Sequence, residues 1–282
     1  MHAVPLPPTS RTASRRAASL SMYDLPELRW ANDRLWTAIA ERLEAAGLEG
    51  VPHVLERQRA LDEIWTDPRL LLAHSCGYPL VTSLRGRVQL VATPRYRAEG
   101  CRGPFHSSAI AIRKADRAQT LADLKGTRLA LNEEASGSGM NLMRAAIAPL
   151  AVGETFFSAV SLTGSHLASL HAVAAGEADV AAVDSVTWAH VRRLRPHLAD
   201  RIRVLAWTAE SPGLPLITAG DTDAPTLAAL REALVEAACD PHLADVRDAL
   251  LLEGFSVLRE PHYRAVSDLA QGAVELGYPL LR

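Results

Sequence analysis

Lysine is almost missing from these 282 residues: Lys114 and Lys125 stand alone, and arginine carries the rest of the positive charge. Lys and Arg total 30 against 32 Asp and Glu, a net charge of -2, so the chain lacks the basic field that nucleic-acid binding demands. Cysteine is scarce too. Cys76, Cys101 and Cys239 have no metal-ligand spacing, which argues against a zinc site. A Cys76–Cys101 disulfide and a pair of free buried thiols are the alternatives, the second favoured in a reducing compartment. No apolar run approaches the ~18–20 residues of a membrane-spanning helix. Residues 1–19, rich in Pro, Ser, Thr and Arg, lack the apolar stretch of a secretory signal, and the segment after Arg15-Arg16 is too short and polar for a twin-arginine signal. The expectation is a disordered tail, with no export signal visible.

What is present is an ordinary globular balance, 48% hydrophobic and 22% charged, long enough for two lobes or one large domain. Apolar runs alternate with helical patterns, which points to an α/β protein. Strands are expected at 18–23, 51–55, 70–74 and 88–92, with a helix capped by Asn32 or Asp33 and a shorter one around 61–65, a doubly wound pattern. The run Leu70–His74 is continuously apolar, the mark of a strand covered on both faces. A second block repeats the strand, polar turn, helix unit: strands at 107–113, 127–131, 156–160 and 178–183, then 203–208. From 224 onward the pattern is helical, over 226–238, 241–252 and 262–276. Trp30, Trp36 and Trp65 fall at spacings that suit core packing.

The stretch Asn132-Glu133-Glu134-Ala135-Ser136-Gly137-Ser138-Gly139-Met140-Asn141 joins one of these strands to a helix. Backbone N–H groups at a helix start have no partner inside the helix, and the macrodipole adds positive charge there. Gly137 and Gly139 permit close approach, and Ser136 and Ser138 add hydroxyls, so the turn is either an anion site or a plain N-cap. A second helix start, Thr163-Gly164-Ser165-His166, comes after the next strand, and Asp184-Ser185 closes the one after. Ligands of open α/β sheets sit outside the carboxyl ends of strands. Two Ser/Gly helix starts in one block favour an oxyanion ligand over two unrelated caps.

The segment from Thr163 through Ser165-His166-Leu167-Ala168-Ser169-Leu170 and Ala175-Gly176-Glu177-Ala178-Asp179-Val180 to Asp184 resembles a signature of the phosphate/phosphite/phosphonate substrate-binding proteins of ABC transporters, and Asn132 to Arg144 is similar to that family's anion-binding turn. The likeness runs from about Leu20 to the C-terminus, strongest over 127–185. It implies an α/β, two-lobed type II periplasmic-binding-protein fold, a Venus-flytrap clamp with a doubly wound sheet in each lobe. Residues 20–105 plus 205–282 would form the first lobe and 106–204 the inserted second, with the ligand cleft between them and two hinge strands. By this resemblance Ser136, Ser138, Gly139 and Met140 would donate to the ligand's oxygens, with Thr163, Ser165 and His166 adding donors from the second helix start. Asp184 would face the same cleft, suited to a ligand carrying a proton or an amine, or it would cap the following helix. Tyr23 would close over the ligand from the first lobe. His74 to Tyr78 would lie at a cleft-facing strand end, and His106, Ser107 and Ser108 near the first hinge.

The function implied is binding of a small oxyanion, phosphonate, phosphite or phosphate, as the substrate-binding component of an ABC transporter, with a permease partner and a monomeric state. The family location is periplasmic, whereas a chain without an export signal would suit a cytoplasmic ligand sensor or an orphan binding protein. No metal or cofactor is called for. An enzyme on the same fold is the weakest reading: His166 with Asp184, or Cys76 with His74, are the only acid–base pairs, and Ser136-Gly137-Ser138-Gly139 is not a nucleophile elbow.

Overall fold

A computed structural model describes residues 16–151 and 155–282. Its two main sheets have five strands each, ordered Ala17–Ser19, Leu70–His74, Leu216–Ala219, Val88–Tyr96, Leu252–Ser256 in the first. The second runs Ile202–Trp207, Ser108–Arg113, Val180–Asp184, Arg128–Leu131, Ala159–Leu162. The strands Leu70–His74 and Val180–Asp184 are buried at every residue, as their unbroken apolar runs require in sheets covered on both faces.

Each sheet is mixed. Ala17–Ser19 pairs parallel with Leu70–His74, and Arg128–Leu131 pairs parallel with both Ala159–Leu162 and Val180–Asp184. The strands Ile202–Trp207 and Ser108–Arg113 join antiparallel, as do Leu216–Ala219 and Leu252–Ser256 in the first sheet. A small antiparallel sheet of Cys101–Arg102, Phe105–His106 and Ser211–Pro212 lies where the chain passes from one main sheet to the other and back.

Several expectations need correction. Ala17–Ser19 is a sheet strand, so the tail is shorter than 1–19; the rest of that expectation falls on residues outside those described. The first strand stops at Ser19, and Ser21–Tyr23 is a single tight turn. Residues 51–55 form no strand. Pro52 has no N–H for a ladder, and its carbonyl instead accepts from Trp36 Nε1 at 2.8 Å. The long helix starts at Arg29, not after Asn32 or Asp33. Asn32 lies inside it and donates to Tyr23 O and Asp24 Oδ1, its buried amide serving the neighbouring turn. The strand expected at 156–160 is shifted to Ala159–Leu162, because Phe156 and Phe157 are core side chains before the ladder begins. Trp36 is buried, but Trp30 is 46% exposed.

The C-terminal third departs furthest. Leu252–Ser256 is an edge strand in the break expected between the helices 241–252 and 262–276, and Ile202–Trp207 belongs to the second sheet. The helix Glu260–Glu275 packs Tyr263 and Val266 against the first sheet's core, while Ala273, Tyr278 and Leu281 join the core of the second. There Arg282 O accepts from Phe156 N at 2.6 Å and Phe157 N at 3.1 Å. The segment 205–282 thus touches both sheets: its start lies in the second sheet's edge strand and its end in the second sheet's core.

Candidate anion-binding cleft

The strand ends of both sheets meet at a cleft of about 350 Å³, whose walls include Tyr23, Cys76, Asn132, Glu133, Ser136, Ser138, Ser165, His166, Asp184, Thr187 and His190. No Arg or Lys lines it among the described residues.

The turn after Arg128–Leu131 is built as a wide π-type turn over Gly137–Asn141. Asn141 N donates to Ser136 O at 3.1 Å and Leu142 N to Gly137 O, each reaching back five residues instead of four. A helix that opens this way leaves one more N–H unused at its start, and such turns are frequent at functional sites. Ser136 Oγ takes up one of them, accepting from Gly139 N at 2.9 Å. Ser136 is thus an N-cap and also lines the cleft. Gly139 is required by close approach: a Cβ there would fall 1.7 Å from Asn132 Oδ1 and 3.2 Å from His166 Cε1.

The second helix start is tied to the first. Ser138 Oγ lies 2.8 Å from His166 Nε2, and Ser108 Oγ donates to Ser138 O at 2.9 Å. Ser165 Oγ caps the helix His166–Ala175 by accepting from Ala168 N at 3.1 Å. Thr163 turns inward instead, its Oγ1 2.7 Å from Ser169 Oγ and donating to Leu131 O at 3.2 Å. Gly139, Met140 and Thr163 are not among the cleft-lining residues; Tyr23, Ser136, Ser138, Ser165, His166 and Asp184 are.

Asp184 is completely enclosed and fully engaged. Oδ1 accepts from Val186 N at 2.9 Å and Thr187 N at 3.0 Å, capping the helix Ser185–Leu194. Oδ2 accepts from Tyr23 Oη at 3.0 Å, a bond from the first sheet's side of the cleft to the second's, and lies 2.7 Å from His106 Nδ1, off the axis of a linear hydrogen bond. Burial pushes this carboxyl up, but the charge and contact of His106, the charge of His166 and the Thr187 N–H outweigh it and hold it at about 2. Tyr23 packs edge-on against His74 and Tyr96, with centroids 5.7 and 5.3 Å away. Burial, then the Asp184 charge, drives the phenols of Tyr23 and Tyr96 well above their ordinary range, so both are O–H groups at neutral pH.

The sequence reading missed His190 and, although it placed His106 near the first hinge, the contact of His106 with Asp184. His106 reaches Asp184 because Ser108 stands opposite Asp184 in the antiparallel ladder, a pairing between positions 76 apart that no local pattern reveals. His190 was within reach: it lies one helical turn beyond Thr187 on the helix that Asp184 caps, hence on the cleft face. Burial, partly offset by the Asp184 charge, lowers His190 to about 4, and burial lowers His166 as well. His166 Nδ1, both nitrogens of His190 and Asn132 Oδ1 are buried without a hydrogen-bond partner. A neutral imidazole carries one N–H, so these rings hold donors in reserve for a ligand.

Ser138 and His166 have the separation of a nucleophile and its base, but among the described residues no carboxylate is hydrogen-bonded to the ring to complete a triad. Among the described residues no group of three or more His, Cys, Asp or Glu side chains is placed to hold a metal ion. Cys76 and Cys101 are free thiols; burial raises both, Cys101 to about 11.

Two mixed sheets meeting at a donor-lined cleft define a ligand-binding protein of the type II periplasmic fold. The family model for the ABC transporter, phosphonate, periplasmic substrate-binding protein matches residues 27–263, and the chain belongs to this family. Its members are substrate-binding components of ABC transporters rather than enzymes. Among solved structures, it is similar to a binding protein component of an ABC phosphonate transporter from Pseudomonas aeruginosa, with 16% identity over 93% of this chain and 87% of that one and a TM-score of 0.74. PhnD1 from Prochlorococcus marinus in complex with methylphosphonate is 14% identical over 93% of this chain and 98% of that one, with a TM-score of 0.72. XAC2383 from Xanthomonas citri, bound to chloride ion, is 18% identical over 93% and 98%, with a TM-score of 0.70. At these identities the likeness speaks for the fold alone. No curated protein sequence matches the chain.

Proposed function

We propose that this protein binds a small phosphorus oxyanion (a phosphonate, phosphite or phosphate) in the cleft, as the monomeric substrate-binding component of an ABC transporter. The observation that carries the reading is the convergence of two serine-capped helix starts, joined through Ser138 and His166, in a cleft that has no Arg or Lys on its described walls. Backbone N–H groups and neutral hydroxyl and imidazole donors suit an anion whose charge is to be spread over several oxygens. Ser136, Ser138, Ser165 and His166 are the donor set, with Gly139 and Met140 shaping the turn and Thr163 bracing the second helix start.

Asp184 and Tyr23 act in this reading as a clasp between the lobes rather than as ligands, since both carboxylate oxygens are already engaged. The lobes are residues 20–105 with the later part of the chain, and 106–204 extended through the strand that ends at Trp207. They close about the small sheet of 101–106 and 211–212. A ligand held only by the closed form stabilises that form.

The test is thermal unfolding with methylphosphonate, phosphite, phosphate and sulfate. At a hundredfold excess over Kd, a bound ligand adds about 2.7 kcal/mol to stability, a shift of several degrees. At least one phosphorus oxyanion is expected to give it; no shift with any of them at millimolar concentration overturns the proposal.

A further inference from the structure

Arg144 is the one strongly buried cation near the cleft, among the described residues, that the donor set does not use. It sits in the first turn of the helix Leu142–Ala151, only 6% exposed, and no carboxylate lies within ion-pairing distance among the described residues. A buried guanidinium without a carboxylate is expensive and persists only where its donors are well used. Two of its nitrogens reach three acceptors, while Nε is buried without a partner. Nη1 donates to Pro279 O, and Nη2 donates to Asn141 Oδ1 at 2.8 Å and to Ala270 O at 3.3 Å.

The Asn141 contact leads into the cleft. Asn141, 2% exposed, is held at its amide oxygen by Arg144 and donates through Nδ2 to Ser136 O at 3.0 Å. Its backbone N–H donates to the same carbonyl at 3.1 Å. One carbonyl fixed by two donors fixes its peptide plane, since the peptide is rigid. The other edge of the Ser136–Gly137 peptide is the Gly137 N–H, which points away toward Cys76 Sγ on the cleft wall, 3.3 Å off. The direction of the first donor of the turn is thus set from behind, by a relay that begins at the C-terminal helix and the segment after it.

We propose that Arg144 is a positioning residue of the anion-binding turn: through Asn141 it fixes the Ser136–Gly137 peptide and registers the turn against the carbonyls of Ala270 and Pro279. This rests on the cleft being the anion site, but the relay itself can be tested without any ligand. The charge matters as well as the shape. Hydrogen bonds from a charged donor are about twice as strong as neutral ones, and they polarise the amide that passes the bond on. Lysine can keep one of these bonds; it cannot span three acceptors with a planar fork.

The experiment is amide hydrogen exchange on the unliganded protein, wild type against Arg144→Gln, Arg144→Lys and Asn141→Ala, followed by titration with methylphosphonate. Arg144→Gln and Asn141→Ala are each expected to speed exchange at Gly137 to Asn141 by about tenfold or more, the equivalent of a lost charge-assisted or amide bond. The strands of the first sheet should not change, and Arg144→Lys should recover part of the protection. Methylphosphonate affinity should fall about tenfold in Asn141→Ala, a variant that leaves the guanidinium its two backbone carbonyls. Unchanged exchange at the turn in Asn141→Ala overturns the proposal, and so does an increase confined to 260–282, which would make Arg144 a brace for the C-terminal segment alone. Should Arg144→Gln not fold, Asn141→Ala decides. A wild type that ignores methylphosphonate and the other oxyanions sinks the binding reading, while the exchange result still judges the relay.

Discussion

Acidification from about pH 7.5 to about pH 5 is expected to strip this protein of much of its stability, and the buried imidazoles fix how much. Burial holds His74 at about 4, partly offset by the Asp184 charge, and His190 stands at about 4 for the same reasons. Both rings are buried with both nitrogens unpaired. Their ordinary value is 6.5, so between 6.5 and 4 the unfolded chain takes up protons that the folded protein refuses. Stability therefore falls as pH falls through this window, and is fully present above 6.5. At about pH 5 each ring contributes a loss of about 2 kcal/mol, from the ratio of the two titration polynomials. The pair loses about 4 kcal/mol, a large share of the ~5–15 kcal/mol that holds a typical domain. Asp184, held at about 2, adds a loss of the same sign only below about pH 4, outside this window. Urea unfolding followed by fluorescence at a series of pH values measures the slope, to which His74 and His190 contribute about two protons taken up on unfolding and His166 adds in the same direction. His74→Phe keeps the ring and its edge contact with Tyr23 and should remove about half of it, at little cost near pH 7.5. A stability that stays flat down to about pH 5, or a His74→Phe protein with the full wild-type slope, refutes the reasoning.

Two further substitutions bear on the cleft. Tyr23→Phe deletes the bond to Asp184 that crosses it and should cost about 1–2 kcal/mol in urea unfolding, with a faster off-rate for any bound oxyanion. Gly139→Ala forces the Asn132 amide out of its place, with His166 blocking one side; loss of oxyanion binding in a protein that still unfolds cooperatively is expected, and full binding by the variant would show that the turn tolerates the methyl.

The local parts of this site can be read from the chain. A strand of Leu129-Ala130-Leu131 followed by Ser136-Gly137-Ser138-Gly139, and a strand end followed by Thr163-Gly164-Ser165-His166, each carry their geometry in consecutive residues, and Asp184 at a strand end before a helix marks its own capping role. Non-local partners leave no such trace. His106 arrives through an antiparallel register, Arg144 through a segment that closes back from residue 279, and neither pattern exists before the chain is folded. A local signal also misleads where one residue suits two elements. Gly254 reads as the stop of a helix over 241–252, yet Leu252-Glu253-Gly254-Phe255-Ser256 pairs with Val88–Tyr96 as an edge strand, where glycine is tolerated. The width of the turn at Gly137–Asn141 belongs to this class too, since serine and glycine specify a helix start without saying whether four or five residues separate donor from acceptor.

The path of the C-terminal segment alters the mechanics of the molecule. Two plates joined by two adjacent strands can swing like a door and also twist about the pair. Here the chain crosses a third time: the helix Glu260–Glu275 is seated by Tyr263 on one plate, and the residues beyond it are seated by Tyr278 and Leu281 on the other. A third tether set apart from the first two resists twisting of one sheet against the other more than two adjacent strands can. Between the two seats the chain leaves the helix through Gly277, whose φ of +79° is the left-handed turn that glycine adopts without strain. A side chain at that position, away from the cleft wall, would strain the turn that carries the chain from one core to the other.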